Sequence, residues 1–277
     1  MKQLVLALTT LAVISICACK KDANISPGND PNFTIEANTD DGFSAFNRKV
    51  VVFDIPIYAK KKVADDRLLH AANIMAQYLD NDEDGNVDNP TVQLAMKSAN
   101  AFLFLWNKQS DLVFFSQPNN TTGQDLGNDE TIIDWHNNGH TGQFDAALEE
   151  VLHIITHAGY ANAYPEVFGE GAGTTLSNAM DIARGGQFTS IPNPYPTEAW
   201  YHYDDATCDY NCMTTEYIYW ALTSILGAQE NRLSEIQQEW ELNTSALVEE
   251  RDLAIFNLLT NPEYSIPTVL PDGTYKR

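Results

Sequence analysis

The chain has 277 residues, 16 of them basic and 38 acidic, for a formal charge of −22. So acidic a molecule repels phosphate backbones, and no basic stripe offsets the charge, which argues against a nucleic-acid partner. Its length suffices for one substantial core, and neither an internal repeat nor a Pro- or Ser-rich break divides it. The amino terminus opens with Met1-Lys2 and an apolar run from Leu4 to Ile16. That run is too short to span a bilayer as a helix and has the build of a secretory signal. Residues 20–42 are polar with few large apolar groups and read as a flexible tether. The remainder, 43–277, reads as a single domain.

The signal ends in Ile16-Cys17-Ala18-Cys19, which resembles a bacterial lipobox with small Ala18 before the cut. The resemblance implies a signal peptide over 1–18, lipid on Cys19 and a tether over 19–42. It implies a cell-envelope protein anchored to a membrane without spanning it.

Within the domain, Lys49–Tyr58 is strand-like. Ala64–Leu79 has helical apolar spacing at Leu68, Ile74, Met75 and Tyr78. After it comes Asp80-Asn-Asp82-Glu-Asp84-Gly85-Asn86-Val-Asp88, and Pro90 can open an exiting helix over Thr91–Ser98. The loop resembles the first nine positions of an EF-hand. Asp80, Asp82 and Asp84 take the alternate carboxylate positions, and Gly85 allows the sharp turn. Asn86 offers a carbonyl and Asp88 reaches the ion directly or through water. Position twelve departs from the pattern, with Thr91 in place of the bidentate glutamate. Carboxylates converging about 4 Å apart repel by roughly 1 kcal/mol even in bulk water, so calcium is the expected occupant, in a structural role.

Ala101–Trp106 and Leu112–Phe115 are strand-like, Ser116–Glu130 is rich in turn formers and reads as a mobile surface loop, and Thr131–Trp135 adds a further candidate strand. Asp145–Gly159 reads as a helix that Gly159 stops with a left-handed cap. At about 100° per residue, Phe144, Leu148, Val151 and Ile155 form an apolar stripe. Glu149, Glu150, His153 and His157 lie together on the opposite side, in a face without Lys, Arg or Gln. Of the six histidines in the chain, four fall between residues 136 and 157, and that concentration marks the region as a candidate site.

Glu149-Glu150-Val-Leu-His153 resembles the His-Glu-x-x-His helix of zincin metallopeptidases, with glutamate at the first ligand position. Carried over by position, the resemblance implies Glu149 and His153 as metal ligands and Glu150 as the general base. Zinc accepts a carboxylate oxygen in place of an imidazole. His157 is an alternative ligand, pairing with His153 at i, i+4. A zincin needs a third ligand from downstream. Glu216, opening an apolar-aromatic helix, is the first candidate, and Glu170 in Phe-Gly-Glu-Gly is the second. His136 and His140 can line the same cleft, supply a different metal set, or serve as hydrogen-bonding groups.

Further helices are expected over about 174–183, 213–226, 230–242 and 246–259. Trp200, Tyr201, Tyr203, Tyr210 and Trp220 lie near acidic residues, as rings do in sugar-binding clefts, although such rings more often pack a core. Cys208 and Cys212 suit a local disulfide in an oxidising envelope, with a metal role second. No Gly-x-Ser-x-Gly elbow or Gly-rich phosphate loop is present. The expected fold is α+β, with N-terminal strands before a mainly helical C-terminal part, zincin-like, and an EF-hand-like helix-loop-helix. The expected function is a calcium-binding envelope lipoprotein that acts as a zinc-dependent, peptidase-like hydrolase. The alternative is a non-catalytic, calcium-stabilised surface lipoprotein that binds glycan or protein.

Overall fold

The computed structural model describes residues 33–277. The signal segment and Cys19 lie outside the described residues. The fold is α+β, built on a five-stranded mixed sheet in sequential order. Its strands are β1 (Glu36–Ala37), β2 (Arg48–Val52), β3 (Ile55–Ala59), β4 (Ala101–Trp106) and β5 (Thr122–Gly127). The first three are antiparallel, and β3, β4 and β5 run parallel. The sheet thus begins inside the stretch assigned to the tether. Among the described residues, no helix is long and apolar enough to cross a membrane.

The strand expected over Lys49–Tyr58 is a hairpin. Phe53 and Asp54 turn it with φ of +45° and +68°. Two-residue turns of this hand usually carry Asn-Gly or Asp-Gly, and a phenylalanine there hides the turn from a reading of the sequence. Strand β4 reads as an unbroken apolar run because both its faces are covered. Leu103 and Leu105 face the main core, while Phe102, Phe104 and Trp106 pack with Phe43, Phe46 and Tyr58.

Three neighbouring expectations are corrected. Leu112–Phe115 is not a strand, because Gln109–Phe114 winds as a 3-10 helix. The supposed mobile loop contains β5, which pairs with β4 along its full length. Its sequence, Thr-Gly-Gln-Asp-Leu-Gly, hides it, but the glycine is required: a Cβ on Gly123 would lie 2.2 Å from the Phe102 ring. Finally, Thr131–Trp135 is no strand but leads into the short helix α3 (Ile133–Asn137), which buries Trp135.

Helices α1 (Asp65–Leu79) and α2 (Pro90–Ser98) flank the acidic loop, and α2 starts on Pro90 as expected. Helix α4 (Ala147–Ile154) continues into a π-helical segment over Ile155–Tyr160. Gly159 does not cap it. It is buried within the π turn, where a Cβ would lie 2.7 Å from Val92 and 3.0 Å from Met96 of α2. The glycine therefore serves close packing of backbone against α2 rather than chain reversal.

Helices α5 (Ala161–Ala163), α6 (Pro165–Phe168), α7 (Thr175–Ala183), α8 (Tyr210–Ile225), α9 (Leu233–Ile236), α10 (Ser245–Arg251) and α11 (Leu253–Leu259) complete the chain. The helix expected over 230–242 shrinks to α9. The one expected over 246–259 breaks at Asp252, whose side chain caps α11 through the Ile255 amide at 3.3 Å. The same carboxylate accepts from Trp200 Nε1 at 2.8 Å and the Tyr217 hydroxyl at 2.7 Å. Helix α4 packs between β5, α1 and α8, and this sandwich positions the site.

Candidate metal centre

Asp145 sets α4 in place. Its Oδ1 accepts from the Ile132 amide at 2.7 Å and the Ala147 amide at 3.3 Å, so it closes the helix N-terminus. One turn in, Glu149 and His153 project on the side facing α8, and Glu216 projects from α8 toward them. The ligand atoms of Glu149, His153 and Glu216 all lie within 4.8 Å of one another. His153 is buried, and its Nε2 has no hydrogen-bond partner among the described residues. It stands 3.5 Å from Glu216 Oε2. That is beyond the usual hydrogen-bond range but close to the ~3.4 Å that separates two ligands bound tetrahedrally at about 2.1 Å to one ion. At Nε2 the buried ring makes only this ion-pair approach, and with Glu149 close by the three groups can share a cation.

The charges agree with that fit. Burial pushes the Glu149 carboxyl up to about 8, His153 opposes the shift, and Glu150 and Glu216 reinforce it. Burial alone would lower the His153 imidazole. Glu216 and Glu150 outweigh it and raise the ring well above its ordinary value. Without a cation, therefore, protons neutralise the cluster. Glu150 lies on the far side of the ring, its Oε2 3.5 Å from His153 Nδ1, and Gln124 of β5 donates to the same oxygen.

His157 does not join this group. Its Nδ1 lies 2.7 Å from Glu170 Oε1, and neither residue is among the three whose ligand atoms converge. Arg184 and Arg232 are engaged elsewhere, Arg184 donating to the Phe188 carbonyl and Arg232 pairing with Glu235. The cluster opens into a cleft of about 470 Å³ lined by Gln124, His153, His157, Glu170, Thr215 and Glu216 among others.

A second titratable group was not assembled from the sequence. His70 Nε2 and His136 Nε2 lie 2.7 Å and 2.8 Å from the same Asp145 Oδ2. Burial would raise that carboxyl, but the bonds from His136 and His70 prevail and hold it below its usual range. His70 is hidden in an ordinary apolar helix, 75 residues from Asp145, so nothing local marked it. His140 instead stacks on Trp135, with ring centroids 4.3 Å apart.

The acidic loop turns about Asp80. Asp80 is buried, accepts from the Asp84 amide at 3.1 Å and the Gly85 amide at 2.8 Å, and takes the Tyr275 hydroxyl as well. Gly85 has φ +92°, a conformation that suits glycine. Asp80, Asp82 and Asp88 bring carboxylate oxygens within 4.8 Å of one another. Asp84 instead accepts from the backbone and side chain of Asn86 at 2.8 and 3.0 Å. Burial and the neighbouring Asp82, Asp80 and Asp84 raise the Asp88 carboxyl, so this loop also carries excess negative charge. Thr91 is taken up in the first turn of α2, its amide donating to Asn89 at 3.2 Å.

Of the aromatic set, Tyr201, Tyr210 and Trp220 are buried, while Trp200, which bonds Asp252, and Tyr203 are partly buried. Cys208 and Cys212 are joined in a disulfide. Compared with known proteins, the chain matches no family model, no curated protein and no solved structure.

Proposed function

We propose that the cleft is the active site of a metal-dependent hydrolase, of degenerate zincin type and peptidase-like, in a calcium-stabilised envelope lipoprotein. The observation that carries this reading is the convergence of Glu149, His153 and Glu216, with the buried His153 Nε2 at ion-pair rather than hydrogen-bond distance from Glu216. Two carboxylates and one imidazole suit zinc, and a bound divalent cation supplies Lewis-acid polarisation of a substrate carbonyl. Glu150 is the base that takes a proton from the attacking water. Both its contacts, to Gln124 and to the His153 ring, fall on Oε2, so the carboxylate is oriented beside the cluster. Gln124 holds that orientation from the sheet edge.

Calcium in the loop, held by Asp80, Asp82 and Asp88 with Asp84 and Asn86 closing the turn, fastens α1 to α2. The lipobox-like Cys19 supports attachment to a membrane by lipid, with extracytoplasmic peptide, protein or glycan as the encountered partner. The test is metal analysis of the purified chain beside a Glu149→Ala/His153→Ala variant, followed by peptide hydrolysis in Glu150→Gln. One zinc per chain, lost in the double variant, with hydrolysis abolished in Glu150→Gln, is the expected result. Calcium alone, equal in both proteins, would leave a non-catalytic binding lipoprotein.

A further inference from the structure

His157 is the one histidine in the cleft wall that the ligand cluster does not use. It follows His153 by one turn, on the π segment, and its side chain is 52% exposed. Its Nδ1 meets Glu170 Oε1 at 2.7 Å, and Thr215 Oγ1 donates to that same oxygen at 2.8 Å. The Glu170 side chain is only 12% exposed, and the Thr214 hydroxyl donates to its carbonyl at 3.1 Å. An exposed ion pair would contribute about 0–1 kcal/mol and hold nothing in place. Here the carboxylate is sheltered and separately anchored, so it fixes Nδ1 as the donor. Nε2 is then the ring atom that can exchange a proton with a molecule in the cleft.

We propose that His157, oriented by Glu170 and Thr215, is the proton donor to the leaving group in amide hydrolysis. This rests on the hydrolase reading above and names a second catalytic residue for it. As the water oxygen bonds to the carbonyl carbon, one water proton passes to Glu150. The carbon–nitrogen bond then breaks, its electron pair goes to nitrogen, and His157 Nε2 supplies the proton that completes the departing amine. The proton on Glu150 returns through solvent to His157, which restores both groups. Amines are poor leaving groups unless protonated, so this donor matters for peptides and little for activated esters.

The experiment compares zinc-loaded full-length wild type, His157→Gln and Glu170→Gln on a fluorescence-quenched peptide mixture and on p-nitrophenyl acetate. Peptide cleavage in His157→Gln should fall about 10²–10⁴-fold through kcat, while ester cleavage and zinc content hold. Nitrogen NMR should show Nδ1 of His157 protonated in wild type and a mixture of tautomers in Glu170→Gln, a readout independent of turnover. Equal losses on both substrates, or none on either, would overturn the proposal and leave the hydrolase reading standing. Loss of zinc in His157→Gln would make His157 a ligand instead. No cleavage of either substrate by zinc-loaded wild type would remove the hydrolase reading, and this proposal with it.

Discussion

Two clusters of histidine and carboxylate flank the same helix and differ by less than an ångström in their spacing. Around Asp145, the imidazole nitrogens of His70 and His136 sit at 2.7 and 2.8 Å, within hydrogen-bond range. Around His153, the nearest carboxylate oxygens stand at 3.5 Å on both ring nitrogens. The first cluster is held by hydrogen bonds to both oxygens of Asp145, although Nδ1 of His70 and of His136 has no hydrogen-bond partner among the described residues. The second has opposite charges arranged about a gap and reaches a cleft. Residue type does not separate them, since each contains histidine beside carboxylate. What separates them is whether the carboxylate is already saturated by backbone amides, as Asp145 is.

The largest expected effect is on the closed cluster. Asp145→Ala strands two buried imidazoles and uncaps α4, and should destabilise the domain by about 3–5 kcal/mol in urea unfolding. Glu216→Gln removes the carboxylate that most favours charged His153, but at an ion-pair distance of 3.5 Å beside an open cleft, so it should cost metal-free protein less than Asp145→Ala does. If the two substitutions cost the same, the distinction between closed and open fails. Next in size, zinc at a hundredfold excess over its dissociation constant should raise wild-type stability by about 2.7 kcal/mol. It should do nothing for Glu149→Ala/His153→Ala, as thermal unfolding with and without chelator would show.

The clusters should also respond to pH in opposite directions. Glu149 is raised from 4.5 to about 8, so between those values the folded chain holds the extra proton and metal-free stability falls as pH rises. His153, raised above 6.5, contributes stability that is present below that value and lost as pH climbs through the folded one. Asp145 is lowered from 3.8. Its contribution is present above 3.8 and lost as pH falls through the folded value. Metal-free protein should therefore weaken at the alkaline side through the open cluster and at the acid side through the closed one. Zinc uptake must displace the protons on Glu149 and His153, so its affinity should strengthen from pH 6 to 8 by about tenfold per unit for each proton released. A pH-independent zinc affinity in calorimetry would contradict the protonated resting state.

The smallest effects sharpen the contrast in packing. A Cβ on Gly273 would lie 2.2 Å from His70 Nδ1, at a φ of +78°, so Gly273→Ala should destabilise by about 1–3 kcal/mol. Gln124→Ala, at the open cluster's rim, should stay within about 0.5 kcal/mol while slowing hydrolysis through a loosened Glu150.

Features carried by local spacing were legible in the sequence. The acidic loop, the helices on either side of it, strand β4 and the pairing of Glu149 with His153 all follow from residues a few positions apart. Glu216 was reachable too, because a carboxylate in an apolar-aromatic helix needs a partner. His70 was not, since its meaning depends on an aspartate that only tertiary folding brings near. Strand β5 was missed because its glycine serves the Phe102 ring of its neighbour and no pattern of its own. The π segment was read as a helix end for the same reason, with Gly159 shaped by α2 rather than by chain reversal. The contact between His157 and Glu170 was not legible either, because it joins a helix turn to a residue 13 positions on.

The contact at Gly159 also bears on which parts of this molecule can be exchanged. Because α2 rests directly on the turn carrying His157, with Val92 and Met96 against a backbone that has no side chain there, the two elements share one surface. A designer wishing to graft helix α4 and its π segment onto another scaffold would have to carry α2 with it, and with α2 the acidic loop that precedes its first turn. The smallest transplantable unit then runs from Asp65 through Tyr160, a span that includes β4 and β5. Homologous swaps that replace the loop alone should keep the fold but misplace the wall of the cleft.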